Sequence, residues 1–278
     1  MRIQAFCLPV TLDAQPNFNS KSDIITDSFF GQPDIMLVHA KNKGMIMNLR
    51  SEMTYGHNVR TVYRFNPKTL PLLFHASFMD ILDKLGEICK VNSEVIYGPV
   101  PEIHFVGHVV GIELAKLQLN FVLDYLNEIP IGSFHVPLHV QYLIAGNNSI
   151  NIETIMKKTS TTIYLQPSLS HTFGPFTHPY EYGTIHVTGE RENIEMAKSQ
   201  IQKLVSEKSP KFYETQISVD PSKIDWLLLN KRKELDEIMV ANGSFIFFPD
   251  LCSQDETVKI MAEDKVCTDR AVRLLNQQ

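Results

Sequence analysis

A short turn between two helical stretches, Gly146-Asn147-Asn148-Ser149, has residue types that could hold a phosphate group. Glycine lets a ligand approach the backbone closely, and asparagine tolerates the left-handed conformations that a tight turn requires. A helix that follows such a turn offers unpaired N–H groups at its start, and Lys157 and Lys158 lie two turns further along it. The chemistry indicated is a weak phosphate contact, and the alternative is a purely structural corner between two helices.

A second corner, Asn230-Lys231-Arg232-Lys233, places three basic residues together at the start of another helical pattern. It has no glycine, and the acidic residues Glu234, Asp236 and Glu237 follow at once and dilute the positive field. The two interpretations are a helix start that faces phosphate and a solvated helix start. The matching position nearer the N-terminus, His75-Ala76-Ser77-Phe78, has neither glycine nor Lys or Arg. Its apolar Phe78 and Met79 predict packing against a neighbouring domain.

Histidine and aromatic residues are concentrated in a proline-rich loop over residues 167–182, which includes His171, Phe173, Phe176, His178 and Tyr180. Rings on such a loop could stack on bases, or they could fold back onto their own domain. His171 and His178 lack further convincing ligands, so we predict no metal site.

Catalytic patterns are missing from the sequence. It contains no glycine-rich phosphate loop, H-E-x-x-H pattern, nucleophile elbow or spaced carboxylate pair. His104 and His186 occupy equivalent positions on repeated strand patterns, which indicates a structural position for both. We therefore expect no enzymatic activity and no cofactor.

The overall charge and composition exclude several other classes. The net charge is −5 and no segment is basic, which weighs against strong nucleic-acid binding. Four cysteines without C-x-x-C spacing indicate neither a disulfide framework nor a zinc ribbon, so we expect reduced thiols and a cytoplasmic location. No secretory signal and no apolar run of about 18 residues is present, so no membrane partner is predicted.

The chain repeats a strand, a glycine turn and a helix. Ile103-His104-Phe105-Val106-Gly107 is followed by a helical pattern, and Ile185-His186-Val187-Thr188-Gly189 is followed by another at the same spacing. A repeat of this length indicates an array of small domains.

One such unit, residues 131–209, predicts the order β-α-turn-α-β-β-α. Its first strand pattern runs from His135 to Tyr142 and leads into a short helix, and its closing helix covers Arg191 to Ser206. Three strands can form one antiparallel sheet whose apolar face is covered by three helices. The predicted fold class is therefore α+β, built from tandem βααββα units.

These residues resemble the signature of the type I KH domain, in which a Gly-x-x-Gly turn is followed by Ile-x-x-Ile and a Thr-Gly step. The similarity is carried by Gly146, then by Ile152, Ile155, Thr159 and Ile163. In style the chain is similar to the multi-KH arrays of the vigilin and Bicaudal-C type, in which units with and without the glycine turn coexist. The resemblance implies that about four unpaired nucleotides lie in a groove beside the turn. The intact Gly-x-x-Gly turns of those arrays are missing here.

The predicted domains are KH-like units at residues 59–130, 131–209 and 210–278. In the first of these, Asn66-Pro67-Lys68 is predicted to start a helix. Residues 1–58 predict only the back half of a unit, with strands at 2–8 and 35–38, a loop over 9–33 and a helix over 41–53. Two interpretations of this half stay open, namely a fragment of a longer array and an unrelated N-terminal extension.

Two functions follow from the resemblance and its defects. In the first, the chain binds single-stranded RNA weakly through several units and works in post-transcriptional control of mRNA. In the second, RNA contact has been lost, and the units form a protein-binding scaffold within a ribonucleoprotein assembly. The connections at residues 127–130 and 207–210 each end in proline, which predicts a fairly rigid orientation of the units.

Overall fold

The computed structural model describes residues 58–65, 67–172 and 183–278, together with the backbone of three strands nearer the N-terminus. These strands are β1 (Ile3–Cys7), β2 (Ile24–Ser28) and β3 (Ile35–Ala40), and they form an antiparallel sheet in the order β1-β3-β2. Strand β2 lies inside the stretch that was predicted to be a loop. The predicted helix over 41–53 lies outside the described residues.

The β-branched run Ile24-Ile25-Thr26 explains why a strand forms inside the predicted loop, because such residues favour extended backbone. The N-terminal sheet therefore has three strands. Two of them, β1 and β3, were predicted, and β2 adds a third strand at the edge beside β3.

Unit one contains β4 (Asn58–Arg64), a 3₁₀ helix (Leu70–Phe74), α1 (Phe78–Cys89), β5 (Val91–Ile96), β6 (Glu102–His108) and α2 (Val109–Leu126). The helix that was predicted to start at Asn66-Pro67-Lys68 begins instead at Leu70, and it is a single 3₁₀ segment with Pro71 in its first turn. Proline lacks the N–H that a longer helix would need at this point.

Unit two contains β7 (Ile131–His135), α3 (Leu138–Ala145), α4 (Ile150–Thr159), β8 (Thr162–Tyr164), β9 (Thr184–Thr188) and α5 (Arg191–Lys208). The first strand was predicted to run from His135 to Tyr142, but the observed strand β7 ends at His135. Pro137 has extended backbone and caps the start of α3, so the chain turns into a helix where the alternating pattern suggested a strand.

Unit three contains β10 (Tyr213–Ser218), α6 (Pro221–Asn230), α7 (Arg232–Asn242), β11 (Ser244–Phe247), β12 (Thr257–Ala262) and α8 (Lys265–Asn276). The predicted cap of α6 is confirmed, because Asp220 accepts hydrogen bonds from the backbone N–H groups of Ser222 and Lys223. Helix α8 buries Thr268, Ala271 and Leu275, whereas Cys267 and Leu274 of the predicted face are only partly buried.

In each unit the third strand lies at the centre of the sheet, between the first and the second. Its alternating side chains point into the core, and the buried pairs are Ile103 with Phe105, Ile185 with Val187, and Val258 with Ile260. The structure confirms the predicted α+β class with βααββα units.

The core of unit three extends onto the outer face of unit two, whose own core is a separate cluster. A single cluster of buried side chains joins Leu138, Tyr142 and Leu143 of unit two to Leu227 and Leu228 of unit three, and Val110 of α2 also belongs to it. An apolar interface of this kind restricts independent movement of domains, in keeping with the predicted rigid orientation. None of the helices in the described parts of the chain is long and apolar enough to cross a membrane.

Candidate nucleic-acid interface

The turn of unit two keeps an open, left-handed backbone. Gly146, Asn148 and Ser149 have φ angles of 73°, 53° and 57°. A Cβ on Gly146 would lie 2.6 Å from Nδ2 of Asn151, and that amide donates a hydrogen bond of 2.9 Å to the carbonyl of Ile144. The backbone geometry of the turn therefore requires glycine at position 146. Asparagine suits position 148 because it tolerates a positive φ.

The first half of this turn packs against unit three. A Cβ on Gly243, which follows α7, would lie 2.8 Å from Oδ1 and 2.9 Å from the backbone N of Asn147. Asn147 and Asn148 keep exposed surface, but the backbone at Gly146 and Asn147 lies at a contact between units.

The two lysines of α4 are exposed, and one of them lines a groove. The ammonium of Lys157 lies 3.4 Å from the carboxylate of Glu153, one helical turn earlier. Lys158 lies in a groove of about 460 Å³ between α4 and α5 together with Lys203 and Gln200. Asn151, which contacts Gly146, also lines this groove, so the groove extends from the turn along α4 to the lysines.

The basic corner of unit three is engaged within the protein. Arg232 is buried and binds Glu113 of α2 through two hydrogen bonds, Nε to Oε1 at 2.9 Å and Nη2 to Oε2 at 2.6 Å. The guanidinium of Arg232 is therefore taken up by a carboxylate of unit one, which disfavours the predicted phosphate contact at this residue. Two nitrogens of the guanidinium are engaged by this pair, and the third lies 3.5 Å from the carbonyl of Leu228.

The neighbours of Arg232 are more exposed but lie close to acidic groups. Lys231 lies 2.9 Å from Glu234 and Lys233 lies 3.6 Å from Glu237. Asn230 donates a hydrogen bond of 3.0 Å to the carbonyl of Trp226, so its amide continues the end of α6. The arrangement matches the solvated helix start better than a phosphate site.

The corner of unit one is exposed, but its apolar residue turns inward. Phe78 is 1% exposed and its ring lies 6.0 Å from that of Phe65 in the core of its own unit. The prediction that Phe78 packs on a neighbouring domain is wrong, because this residue starts α1 and fills the space under the sheet. His75 and Ser77 are exposed.

A group of rings that sequence reasoning missed joins units two and three. Phe245 of β11 lies 5.7 Å from Tyr142 and 5.4 Å from His171, and Phe247 lies 5.3 Å from His139. Burial lowers the pKa of His171 to about 4 and also lowers the pKa of His139. A signal was present in the unbroken apolar run from Phe245 to Phe248, since a strand covered on both faces has no polar alternation.

The proline-rich loop over residues 167–182 therefore packs against unit three at its start, because His171 contacts Phe245 and Phe247. Its remaining residues, 173–182, lie outside the described residues, so neither interpretation of those rings is decided. The prediction of no metal site was made for His171 and His178, and residue 178 lies outside the described residues. In the described ranges, no three His, Cys, Asp or Glu side chains are grouped so that they could hold a metal ion.

Units one and two meet through α2. Asp124 accepts hydrogen bonds of 2.7 Å from the hydroxyls of Tyr164 and Thr188, and Phe121 stacks on His186 at 4.5 Å. Burial, with a further contribution from Asp124, raises the pKa of Tyr164. On the equivalent strand, His104 lies 2.6 Å from Arg60 and 3.3 Å from Glu102. Both histidines make structural contacts, as their repeated position predicted.

Comparisons with known proteins agree with the geometry of the units. The family described as the Mug60/KHD4 KH type I domain matches residues 214–278, and the family described as the KHD4 second KH domain matches residues 128–211. These two matches coincide with units three and two.

Full-length relatives show the same likeness. The K homology domain-containing protein 4 of Mycosarcoma maydis is 26% identical over 186 residues, which is 64% of this chain and 13% of that protein. Human vigilin is 26% identical over 165 residues, which is 59% of this chain and 12% of vigilin. The chain therefore spans about an eighth of the length of these relatives.

Among solved structures, a chain in the crystal structure of the a/eIF2alpha–aDim2p–rRNA complex from Pyrococcus horikoshii OT3 is similar at 13% identity. The match covers 54% of this chain and 84% of that chain with a TM-score of 0.20, and it carries no weight for function.

Proposed function

We propose that this chain, a tandem KH-domain protein, binds single-stranded RNA weakly and takes part in the post-transcriptional regulation of mRNA in the cytoplasm. The observation that carries the proposal is the surface of unit two that starts at the turn. There the exposed Asn148 precedes α4, and the groove beside α4 ends at Lys158 and Lys203. A left-handed polar turn at a helix start, followed by cations, suits a phosphate backbone.

The binding is expected to be weak for electrostatic reasons. Phosphate contacts supply much of the affinity for nucleic acids, and each contact needs a cation that is free to exchange its counterion. Arg232 is buried against Glu113, and four lysines lie close to carboxylates, including Lys203 of the groove, which lies 3.8 Å from Glu207; the others are Lys157, Lys231 and Lys233. Linked units could raise the overall affinity through avidity.

Fluorescence anisotropy with short single-stranded oligonucleotides, at about 50 mM and about 200 mM salt, tests this function. Replacing two groove cations, by Lys158→Gln with Lys203→Gln, should weaken binding about three- to tenfold and reduce the salt dependence. The matched control is Lys84→Gln with Arg273→Gln, which removes the same charge from exposed positions in units one and three. Equal losses in both double variants would show only a general effect of charge. A wild-type chain that binds no oligonucleotide would remove the proposal.

A second function is favoured by a separate observation, namely that the corners of units two and three both lie at contacts between units. Arg232 binds Glu113, and Asn147 lies against Gly243. This supports a rigid scaffold for proteins of a ribonucleoprotein assembly that has no RNA contact of its own. Well-folded protein without RNA binding, together with retention of a protein partner, would favour the scaffold.

A further inference from the structure

The side of unit two that carries its turn is covered by unit three. Phe245 and Phe247 project from the same face of β11, and the residue between them, Ile246, is fully buried in the core of unit three. Their rings pack on His139 and Tyr142 of α3 and on His171. Strand β11 therefore uses one face for its own unit and the other for unit two.

Polar contacts fix this arrangement at two further points. The backbone N–H of Leu251 donates a hydrogen bond of 3.0 Å to the carbonyl of Thr172. The hydroxyl of Ser168 donates a hydrogen bond of 2.8 Å to Asp236 of α7. The covered surface thus extends from the turn, across the outer face of α3, to residues 168–172.

A KH unit holds its nucleotides beside this turn, and bases in single-stranded RNA are commonly recognised by stacking on aromatic rings. In unit two, the rings of His139, Tyr142 and His171 would be suited to such stacking, but phenylalanine rings already lie on them. Bases and β11 cannot occupy the same surface at one time.

We propose that unit three is an autoinhibitory partner of unit two, and that nucleotides reach the surface beside the turn only when β11 moves off α3. The inference rests on the proposed RNA-binding function. It predicts weak binding by the closed chain, which is left with Asn148 and the groove beside α4 for contact.

The experiment uses the full chain with Phe247→Ala, because the ring of Phe247 is only partly buried and packs at the edge of the core of unit three. Ser168→Ala removes the hydrogen bond to Asp236 and so weakens the contact between the same two units from the side of unit two, and it guards against misfolding of a single variant. Phe74→Ala is the matched control, since that ring is 74% exposed in unit one. Opening is read from amide hydrogen exchange at residues 147–151, and RNA binding is read from anisotropy.

In both interface variants the turn amides should exchange faster, and single-stranded oligonucleotides should bind about two- to tenfold more tightly. This is the range expected for the loss of one aromatic contact or one hydrogen bond. The control should change neither property. Faster exchange with unchanged affinity would overturn the inference and leave the proposed function intact. Unchanged exchange would also overturn it, because the contact would not be what closes the turn. If neither wild type nor variants bind RNA, the proposed function fails, and the inference fails with it.

Discussion

Glu113 and Arg232 are 119 residues apart in the chain and form a bidentate ion pair with bonds of 2.9 and 2.6 Å. Glu113 belongs to α2 of unit one, and Arg232 is the first residue of α7 of unit three. The pair therefore joins unit one directly to unit three, although unit two lies between them in the sequence. Arg232 also approaches the carbonyl of Leu228 at 3.5 Å, which directs its guanidinium along the end of α6.

Arg232→Met should lower the free energy of unfolding by about 1–3 kcal/mol, because it leaves the carboxylate of Glu113 without its partner. The side chain of Glu113 is 32% exposed, so water can partly replace the lost bonds and the cost stays below that of a fully buried charge. Urea unfolding followed by the fluorescence of Trp226, the single tryptophan, measures the change. In the double variant with Glu113→Gln, the two effects should not add. Additive effects would mean that the pair contributes nothing as a pair.

Gly243→Ala should destabilise the contact between units two and three. Gly243 has a φ of 53°, where an L-residue costs about 1–2 kcal/mol, and the added Cβ would lie 2.9 Å from the backbone of residues 146 and 147. We expect a loss of about 2–3 kcal/mol, measured by thermal or urea unfolding.

Ser160 gives the matched control, because it follows the equivalent helix of unit two with a φ of 51°. Ser160→Gly changes the backbone preference in the opposite direction and should shift stability by only about 0.5 kcal/mol. If Gly243→Ala costs no more than the backbone preference alone, Asn147 does not pack against Gly243 in solution.

The order of elements within a unit could be predicted from the sequence, because strand and helix periods are local properties. The buried third strands and the helix that Asp220 caps follow from patterns of a few residues. Errors arose where one residue changes the local conformation. Pro137 ends the strand pattern that was extended to Tyr142, and Pro71 lies in a 3₁₀ segment where a longer helix was expected.

The candidate site was less predictable, because its outcome depends on contacts between units. Nothing near Arg232 in sequence indicates that its partner is Glu113, and the local pattern offered only a phosphate-facing or a solvated helix start. The same holds for Phe245, whose neighbours Tyr142 and His171 belong to another unit. Local patterns identified the corners but not what covers them.

Asp124→Asn should loosen the contact between units one and two. One oxygen of Asp124 accepts hydrogen bonds from both Tyr164 and Thr188, so the neutral amide weakens two charge-assisted bonds. We expect a loss of about 1–2 kcal/mol in the free energy of unfolding. The titration of Tyr164, followed by its ultraviolet absorbance, should move to lower pH because the charge that helps to raise its pKa is removed. An unchanged tyrosine titration would contradict the contact.

The contact between units two and three should weaken as the solution is acidified. Burial lowers the pKa of His171 to about 4, with Arg232 and His139 adding to the shift, whereas an unfolded histidine titrates near 6.5. Because the folded pKa is depressed, the contribution of neutral His171 is complete above about pH 6.5 and is lost as the pH falls towards 4. Each pH unit in this window costs about 1.4 kcal/mol.

The free energy of unfolding should therefore fall by about 2 kcal/mol between pH 7 and pH 5 through His171, and His139 acts in the same direction. His171→Phe removes the titrating group and keeps a ring against Phe245, so the pH dependence should become shallower over this window. The replacement is suited to the site, because Nε2 of His171 is buried without a hydrogen-bond partner among the residues that the structure describes. Equal pH dependence in the wild type and this variant would mean that His171 is not buried against unit three. The closed form of unit two would then lose one of the three rings that contact Phe245 and Phe247.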